Sequence, residues 1–214
     1  MARYPGISLS VTRRMPRYYR FLAELMANGV ERISSREFAE LTGLTASQIR
    51  QDLNCFGGFG QQGYGYNVAA LHTEIGRILS LDKRLPTILI GAGNLGLAVG
   101  NHMKFDEQGF QLIGIFDSNP QVVGQEIQGI RVRSINEIQS FCLENRPVIA
   151  ILCIPRSAAA ELSGDLVGWG VKGFWNFSHY DLSVAHGDQI VVENVHLGDS
   201  LMTLSFRVNE LIDQ

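Results

Sequence analysis

A glycine-rich hexapeptide offers the clearest chemistry in this sequence. It has the pattern G-x-G-x-x-G and consists of Gly91, Ala92, Gly93, Asn94, Leu95 and Gly96. The apolar run 87–90 precedes it and a predicted helix begins near Asn94, which is the setting that a dinucleotide-binding loop requires. In such a loop the glycines permit a tight turn, close backbone approach to a pyrophosphate, and close helix–strand packing. The helix N-terminus adds N–H donors for the phosphates.

An acidic residue at the end of the next predicted strand supports this interpretation. The apolar run 112–116 ends at Asp117, 21 residues after Gly96. A carboxylate in that place accepts hydrogen bonds from a ribose 2′-hydroxyl and repels a 2′-phosphate. Ser118 and the two residues after it supply no arginine for such a phosphate. The sequence therefore predicts NAD(H) as the cofactor.

The elements that must position this site alternate between helix and strand. The predicted elements are helices at 135–143 and 156–167, and strands at 148–154, 172–177 and 189–192. This order predicts an α/β fold, a Rossmann-like doubly wound domain with a mostly parallel sheet. Pro155, Arg156 and Asn176 would lie at the carboxyl ends of strands, where ligands bind in such sheets. A role in turn formation explains each of them equally well.

Charge divides the chain in two. Residues 1–85 carry 11 Lys and Arg against 7 Asp and Glu, whereas residues 86–214 carry 7 against 14, so a net charge of −3 combines +4 with −7. Such asymmetry suggests a nucleic-acid-facing module joined to another module. We expect a DNA-binding domain at 1–85, an NAD(H)-binding domain at 86–195 and a dimerisation helix at 196–214.

The basic part predicts a winged helix-turn-helix. Its predicted helices are an amphipathic one at 17–28, one that begins at the capping box of Ser34 and Glu37, and one that follows Gly43 and Thr45. The first residues of the last helix would face base edges in the major groove. The candidate base readers are Ser47, Gln48, Arg50 and Gln51. A helical bundle with a solvated basic face is the alternative.

Phosphate contacts and a wing would complete this interface. The candidate phosphate contacts are Arg13, Arg14, Arg17 and Tyr18. The stretch 56–66 interleaves aromatic residues with glycines, which suits a hairpin that approaches a groove closely. Gly60, Gln62 and Gly63 are its candidate contacts.

The last segment predicts an association helix. Its leucines and one valine recur at spacings of 4, 3, 4 and 3, and they are Leu197, Leu201, Leu204, Val208 and Leu211. Such a stripe is typical of self-associating helices, and a dimer would match a palindromic DNA site. Packing on its own domain is the alternative.

Several other classes of protein are disfavoured. The sequence contains three cysteines, Cys55, Cys142 and Cys153, which are too few for a disulfide framework and form no metal-binding pair. Cys142 and Cys153 lie in apolar segments, which indicates that they are unreactive core residues. No apolar run could span a membrane, and the N-terminus lacks a secretory signal, so we expect a cytoplasmic protein without a metal site. No histidine sits in a recognisable arrangement with an orienting group, so a sensor is favoured over a small NAD-dependent oxidoreductase.

Taken together, these motifs make the chain resemble the Rex family of redox-sensing transcriptional repressors over essentially its full length. The matching stretches are Ser34-Ser35 with the Leu41 helix, Ile49-Arg50-x-Asp52-Leu53, Phe56-Gly57, Gly63-Tyr64-Gly65-Tyr66, the 91–96 loop, Phe116-Asp117, Pro155-Arg156, 173–177 and Leu204-Ser205-Phe206. The resemblance implies a homodimer whose C-terminal helix is swapped into the partner. It also implies repression at an AT-rich palindromic operator, relieved when NADH replaces NAD⁺.

Four residues depart from what the family usually has. Gln51 and Gln62 replace basic residues, which should weaken phosphate attraction and its salt dependence. His102 and His196 replace a Tyr and an Asp that, with an Arg matching Arg20, are associated with switching. Because two histidines lack carboxylate charge, we hypothesise a rewired, pH-sensitive switch. A Rex-like paralogue with altered ligand or operator preference is an alternative.

Overall fold

The chain folds as two compact units. The computed structural model describes residues 7–57, 59–61 and 64–213, with the backbone alone for Gly60 and Gln61. The boundary between the units lies between Lys83 and Arg84, and each unit has its own apolar core. Within these described ranges, no helix combines the length and apolar character that a membrane span needs.

The N-terminal unit, up to Lys83, is a winged helix. Its described elements are α1 (Leu9–Ala27), β1 (Arg32–Ile33), α2 (Ser35–Thr42), α3 (Ala46–Asn54), β2 (Gly60–Gln61), β3 (Gly65–Asn67) and α4 (Val68–Ile78). The short strands form an antiparallel sheet in the order β1-β3-β2. The helix-turn-helix therefore consists of α2 and α3, and the predicted hairpin wing consists of β2 and β3.

Local signals set the ends of α2 and α3. Ser34 and Glu37 form the predicted capping box, and Gly43 ends α2 with a φ of +64°. Thr45 caps α3 by accepting a hydrogen bond from the backbone N–H of Gln48 at 3.1 Å. The Gln48 side chain does not complete a second capping box, because its amide donates to Asp52 instead.

The first helix is longer than the sequence predicted. It begins at Leu9, where Ser8 provides the cap, and it continues through Pro16. Met15, Tyr18 and Leu22 are fully buried, and their spacing of three and four residues places them on one helical face. Burial of that face holds the helix together across a proline that lacks a backbone donor.

The C-terminal unit, from Arg84, contains the predicted doubly wound sheet. Its described elements are β4 (Leu85–Ile90), α5 (Asn94–His102), β5 (Phe110–Asp117), β6 (Glu126–Ile127), β7 (Ile130–Ser134), α6 (Ile138–Asn145), β8 (Ile149–Leu152), α7 (Arg156–Gly168), β9 (Gly173–Asn176), α8 (Leu182–His186), β10 (Val191–Asn194) and α9 (Leu197–Ile212). The predicted strands and helices are present with ends shifted by at most three residues. The β6–β7 hairpin and α8 were not predicted.

The strand order creates a crevice beside the glycine loop. The sheet runs β10-β9-β8-β4-β5-β7-β6, and all neighbours are parallel except β6 and β7. Successive strands β4 and β5 lie side by side, whereas the chain then crosses over to place β8 on the other side of β4. Ligands bind at such a switch point, outside the carboxyl ends of the strands. The glycine loop leaves β4 at this point.

Candidate functional site

The backbone around the glycine loop leaves no room for side chains at two positions. Gly91 has a φ of +93°, and a Cβ there would lie 2.4 Å from the carbonyl oxygen of Cys153. A Cβ on Gly96 would lie 1.8 Å from the carbonyl oxygen of Gly91. The sequence predicted that Gly96 permits close packing of the helix on a strand. In the structure Gly96 instead permits close packing of α5 on the glycine loop itself. The turn depends on glycine at both positions.

The middle of the loop is open. Gly93 is exposed, and a Cβ on it would meet no atom within 4 Å. It forms the N-cap of α5 without a side-chain cap, and Asn94 and Leu95 are exposed beside it. Uncapped N–H groups at an accessible helix start can donate to phosphate oxygens. Ala92 is buried and its N–H already has a partner in Asp117.

Asp117 ties the glycine loop to the end of β5. One carboxylate oxygen accepts from the N–H of Ala92 at 2.6 Å and the other accepts from the N–H of Asn119 at 2.7 Å. Each carboxylate oxygen can accept a second bond, and the side chain is half-buried. Asp117 thus braces the loop and retains acceptor capacity on its open side.

Asp117 and Ser118 share a cleft of about 450 Å³ with Gly91. The apolar side of this cleft consists of Ile90, Phe116, Ile135, Ile154, Ala158 and Leu162. Glu161 and Asp165 also line it, one helical turn apart on α7. Sequence reasoning missed these two carboxylates, although the spacing of residues 158, 161, 162 and 165 marks one face of α7 toward the cleft.

The remaining predicted cofactor residues lie outside this lining. Pro155 caps α7 and Arg156 begins it, and both are exposed. Asn176 is fully buried, so the prediction that its side chain contacts a cofactor is wrong. Its amide donates to Tyr180 and Asn194 and accepts twice from Ser178, which leaves no capacity for a ligand.

Two predicted phosphate contacts are internal instead. The Tyr18 hydroxyl is buried and donates to Asp52 Oδ2 at 2.7 Å. The Arg14 guanidinium donates to Asp52 through Nε at 2.6 Å and Nη2 at 2.8 Å. The prediction of phosphate binding is therefore wrong for Tyr18. One edge of the Arg14 guanidinium, formed by Nε and Nη2, is bound to the buried carboxylate of Asp52. The sequence analysis did not identify Asp52 as their partner, because it lies 34 residues from Tyr18 and 38 residues from Arg14 along the chain.

The same carboxylate engages a candidate base reader. Gln48 is half-buried, and its Nε2 donates to Asp52 Oδ1 at 2.8 Å. Burial alone would raise the pKa of Asp52, but the hydrogen bonds from Arg14, Tyr18 and Gln48 lower it below its usual value. Burial and the bond to Asp52 raise the pKa of Tyr18. Asp52 is therefore a charged carboxylate inside the helix-turn-helix.

The other predicted DNA contacts are accessible. Arg13, Arg17, Ser47, Arg50 and Gln51 are exposed. Arg50 donates to the Ser35 hydroxyl at 3.0 Å, and the Arg17 guanidinium lies 5.8 Å from the centre of the Phe21 ring. Gly60 pairs with Tyr66 in the wing sheet. Gln62 and Gly63 lie outside the described residues.

The predicted switch residues are two histidines in the C-terminal unit, His102 and His196, and one arginine in the N-terminal unit, Arg20. His102 is exposed at the end of α5, and Arg20 is exposed on α1. His196 stacks on His179 with ring centres 4.7 Å apart, and its Nδ1 lies 3.2 Å from Asp199 Oδ2. The first turn of α9 therefore supplies a carboxylate beside His196, which the sequence analysis did not identify. Within the described ranges, no hydrogen bond, ion pair or ring contact joins His102 to His196.

The apolar side chains of α9 are largely exposed in the single chain. None of its residues is buried. Leu197 is 65%, Leu201 67% and Leu204 54% exposed. The alternative that this helix packs on its own domain is therefore wrong for the single chain.

Two cysteines have the inert character that their apolar surroundings predicted. Burial raises the pKa of Cys142 to about 11 and that of Cys153 to about 12. Both are therefore protonated thiols near neutral pH, which makes them weak nucleophiles. In the part of the chain that the structure describes, no group of three or more His, Cys, Asp or Glu residues is placed to hold a metal ion.

Comparison with known proteins identifies relatives of the whole chain. Residues 6–54 match the family described as "Putative DNA-binding protein N-terminus", and residues 82–180 match the family described as "CoA binding domain". The redox-sensing transcriptional repressor Rex of Thermoanaerobacter pseudethanolicus is 52% identical over 210 residues, which cover 98% of this chain and 93% of the relative.

Solved structures agree with the sequence comparison. The crystal structure of RSP in complex with β-NAD⁺ and operator DNA is 52% identical, with a TM-score of 0.89 over 95% of this chain and 93% of that one. The crystal structure of RSP in complex with β-NADH is 49% identical, with a TM-score of 0.87 over 96% and 95% of the two chains. The resemblance inferred from the sequence is thereby confirmed, and the chain belongs to the Rex family of redox-sensing transcriptional repressors.

Proposed function

We propose that this chain is a transcriptional repressor that binds operator DNA through its N-terminal unit and NAD(H) through its C-terminal unit, and that NADH releases it from DNA. The observation that carries the proposal is that one chain joins a winged helix to a glycine-loop cleft bounded by Asp117. Relatives that cover nearly the whole chain have been captured with operator DNA and NAD⁺, and with NADH. Residues 1–85, 86–195 and 196–214 are the proposed DNA-binding, cofactor-binding and dimerisation regions.

On the DNA side, the first turns of α3 would enter the major groove. Ser47, Gln48 and Gln51 are the proposed readers, since Ser47 and Gln51 are exposed on that helix and Gln48 is half-buried in its first turn. Arg13 and Arg17 on α1 would contact phosphates, and the wing would approach the groove through Gly60. To contact a base, Arg50 would have to release its hydrogen bond to Ser35.

We also propose a cytoplasmic location. A repressor must be in the same compartment as the operator DNA that it binds.

On the cofactor side, we propose that the open loop at Gly93 and Asn94 receives the pyrophosphate and that Asp117 accepts from the ribose. NAD(H) and coenzyme A share an adenosine diphosphate group. The match to a family named for coenzyme A is therefore compatible with NAD(H) bound at the same loop. NADP(H) and coenzyme A carry a further phosphate on the ribose. Asp117, Glu161 and Asp165 would repel that phosphate from the cleft.

We propose a homodimer formed through α9, because its apolar side chains are exposed in the single chain. Leu201→Asp should convert a dimer into monomers in analytical ultracentrifugation. Thr203→Asp introduces the same charge on the opposite face of α9 and should leave the dimer intact. Monomeric wild type would contradict the dimer, and equal loss in both variants would contradict a dimer formed through the leucine face of α9.

The experiment that tests the whole proposal is an electrophoretic mobility shift. Wild-type protein should select duplexes from a random DNA pool, retain them with NAD⁺ and release them with NADH. NADPH and coenzyme A at the same concentration should release far less. Hydride transfer from NADH to common oxo acids, without DNA binding, would favour the oxidoreductase alternative.

The histidines suggest a second, narrower proposal about the switch. We propose that His102 and His196 make NADH-induced release pH-dependent, with Asp199 beside His196 as part of the arrangement. The double variant His102→Tyr/His196→Asp should release DNA with a different pH profile from wild type. Coincident release curves at several pH values would contradict a rewired switch, and release by a different ligand would favour the paralogue alternative.

A further inference from the structure

Asp52 has all its acceptor positions filled. A carboxylate offers about four lone-pair directions, two on each oxygen. Oδ1 accepts from Arg14 Nη2 and Gln48 Nε2, and Oδ2 accepts from Arg14 Nε and the Tyr18 hydroxyl, all between 2.6 and 2.8 Å. The side chain is almost completely buried. Asp52 therefore has no capacity left for a ligand, and its effect must pass through its three partners.

The contact also fixes which way the Gln48 amide points. A charged carboxylate only accepts hydrogen bonds, so the amide atom beside Asp52 must be nitrogen. The amide oxygen and one N–H of Gln48 then remain for other partners. Gln48 lies in the first turn of α3 and is half-buried, with its backbone N–H held by Thr45. Both ends of the residue are therefore anchored.

We propose that Asp52 is a positioning residue for DNA sequence reading, because it presents the Gln48 amide to the major groove in one of its two orientations. This inference rests on the proposed DNA-binding function and deepens it. An outward oxygen with one N–H is the acceptor–donor pair that matches N6 and N7 of adenine. A Gln48 amide that is free to turn over would present this pair only part of the time.

Base preference measured position by position tests this inference. Wild type, Gln48→Ala, Asp52→Asn and Tyr18→Phe would each select from a random pool of duplex DNA, below the unfolding temperature of all four. The position whose preference disappears in Gln48→Ala is the one that Gln48 reads. Asp52→Asn should lower the adenine preference there by about 5-fold or more, the scale of one bidentate contact, and leave other positions unchanged.

Tyr18→Phe is the matched control, because it removes a bond to Asp52 without touching Gln48. It should keep the preference at that position. If Asp52→Asn does not fold, the triple variant Arg14→Met/Tyr18→Phe/Asp52→Leu replaces the buried polar group by apolar side chains and leaves no unpaired charge. The same loss at the same position is expected from it.

The possible outcomes distinguish failure of the positioning role from failure of the proposed DNA-binding function. Unchanged preference in Asp52→Asn, equal flattening of every position, or no position assignable to Gln48 would overturn the positioning role. Parallel loss in Tyr18→Phe would also overturn it, since that result indicates general support of the fold. If wild type enriches no sequence at all, the proposed DNA-binding function fails first and the inference fails with it.

Discussion

The two units each place one aspartate beside their candidate site, and the two aspartates are used in opposite ways. Asp52 in the N-terminal unit is fully buried and accepts four bonds, all from the side chains of Arg14, Tyr18 and Gln48. Asp117 in the C-terminal unit is half-buried and accepts two bonds from backbone N–H groups. All acceptor positions of the Asp52 carboxylate are filled by side chains of its own unit, whereas the Asp117 carboxylate retains free acceptor positions.

This difference shows what kind of contact each unit relies on. The N-terminal unit joins α1 to α3 through side chains that meet at a buried charge. The C-terminal unit shapes its loop by omitting side chains, since Gly91 and Gly96 leave no space for a Cβ. Substitutions that add atoms should therefore damage the glycine loop most, whereas substitutions that remove polar atoms should damage the contact between α1 and α3.

The largest effect is expected from Gly96→Ala. The new Cβ would lie 1.8 Å from the Gly91 carbonyl oxygen, a backbone atom that cannot move without opening the loop. NADH affinity measured by calorimetry should fall by about 100-fold or more, which corresponds to about 3 kcal/mol. Gly164→Ala on α7 meets no atom within 4 Å and should leave affinity unchanged. Affinity within a few-fold of wild type in Gly96→Ala would contradict the backbone account of this loop.

A smaller loss is expected from Asp117→Asn. The variant keeps one carbonyl oxygen for a backbone N–H, but its amide nitrogen cannot accept the other bond, and the charge toward the ribose disappears. NADH affinity should fall by about 10-fold, or about 1.4 kcal/mol, and the ratio of NADH to NADPH affinity should narrow. DNA binding without cofactor should match wild type. Equal loss of DNA binding would show that the variant has misfolded.

Local spacing explains why much of the C-terminal unit could be predicted. The glycine pattern, the strand before it and Asp117 follow one another in sequence, and the structure brings them into one cleft. The capping box of Ser34 and Glu37 was predictable for the same reason, because its partners are three residues apart. Signals of this kind act within a turn or two of the chain, so a single sequence contains them.

Partners that are distant along the chain explain the errors. Arg14 and Tyr18 resemble phosphate contacts until Asp52 is known to face them, and nothing near them in sequence indicates that pairing. Asn176 resembles a ligand contact at a strand end until Asn194 on the neighbouring strand β10 occupies its amide. A polar residue can be assigned to a ligand only when the partners that compete for it are known.

Tyr18→Phe tests the side-chain dependence of the N-terminal unit and should have a smaller effect again. It deletes one of the four bonds to a buried carboxylate, which should lower the free energy of unfolding of that unit by about 1 kcal/mol. Tyr19→Phe is the control, because the Tyr19 ring stacks on His72 at 4.0 Å and the stack survives loss of the hydroxyl. Urea unfolding of the two variants should separate them. Similar stabilities would contradict a special role for the bond to Asp52.

The smallest expected effect is a pH dependence that comes from Asp52. Its pKa in the folded chain is lower than in the unfolded chain, where it is about 3.9. The unfolded chain therefore takes up the proton first as pH falls, and the stability that the carboxylate contributes above that value is lost on the way down to the folded pKa. Between pH 5 and pH 4 the N-terminal unit should lose at most about 0.3 kcal/mol from this group, the limit that the unfolded pKa sets. The variant Arg14→Met/Tyr18→Phe/Asp52→Leu retains the other carboxyl groups but lacks this one, so its urea midpoint should fall less steeply over the same range. An equally steep fall in that variant would show that other carboxylates account for the slope and that the saturated aspartate adds nothing to it.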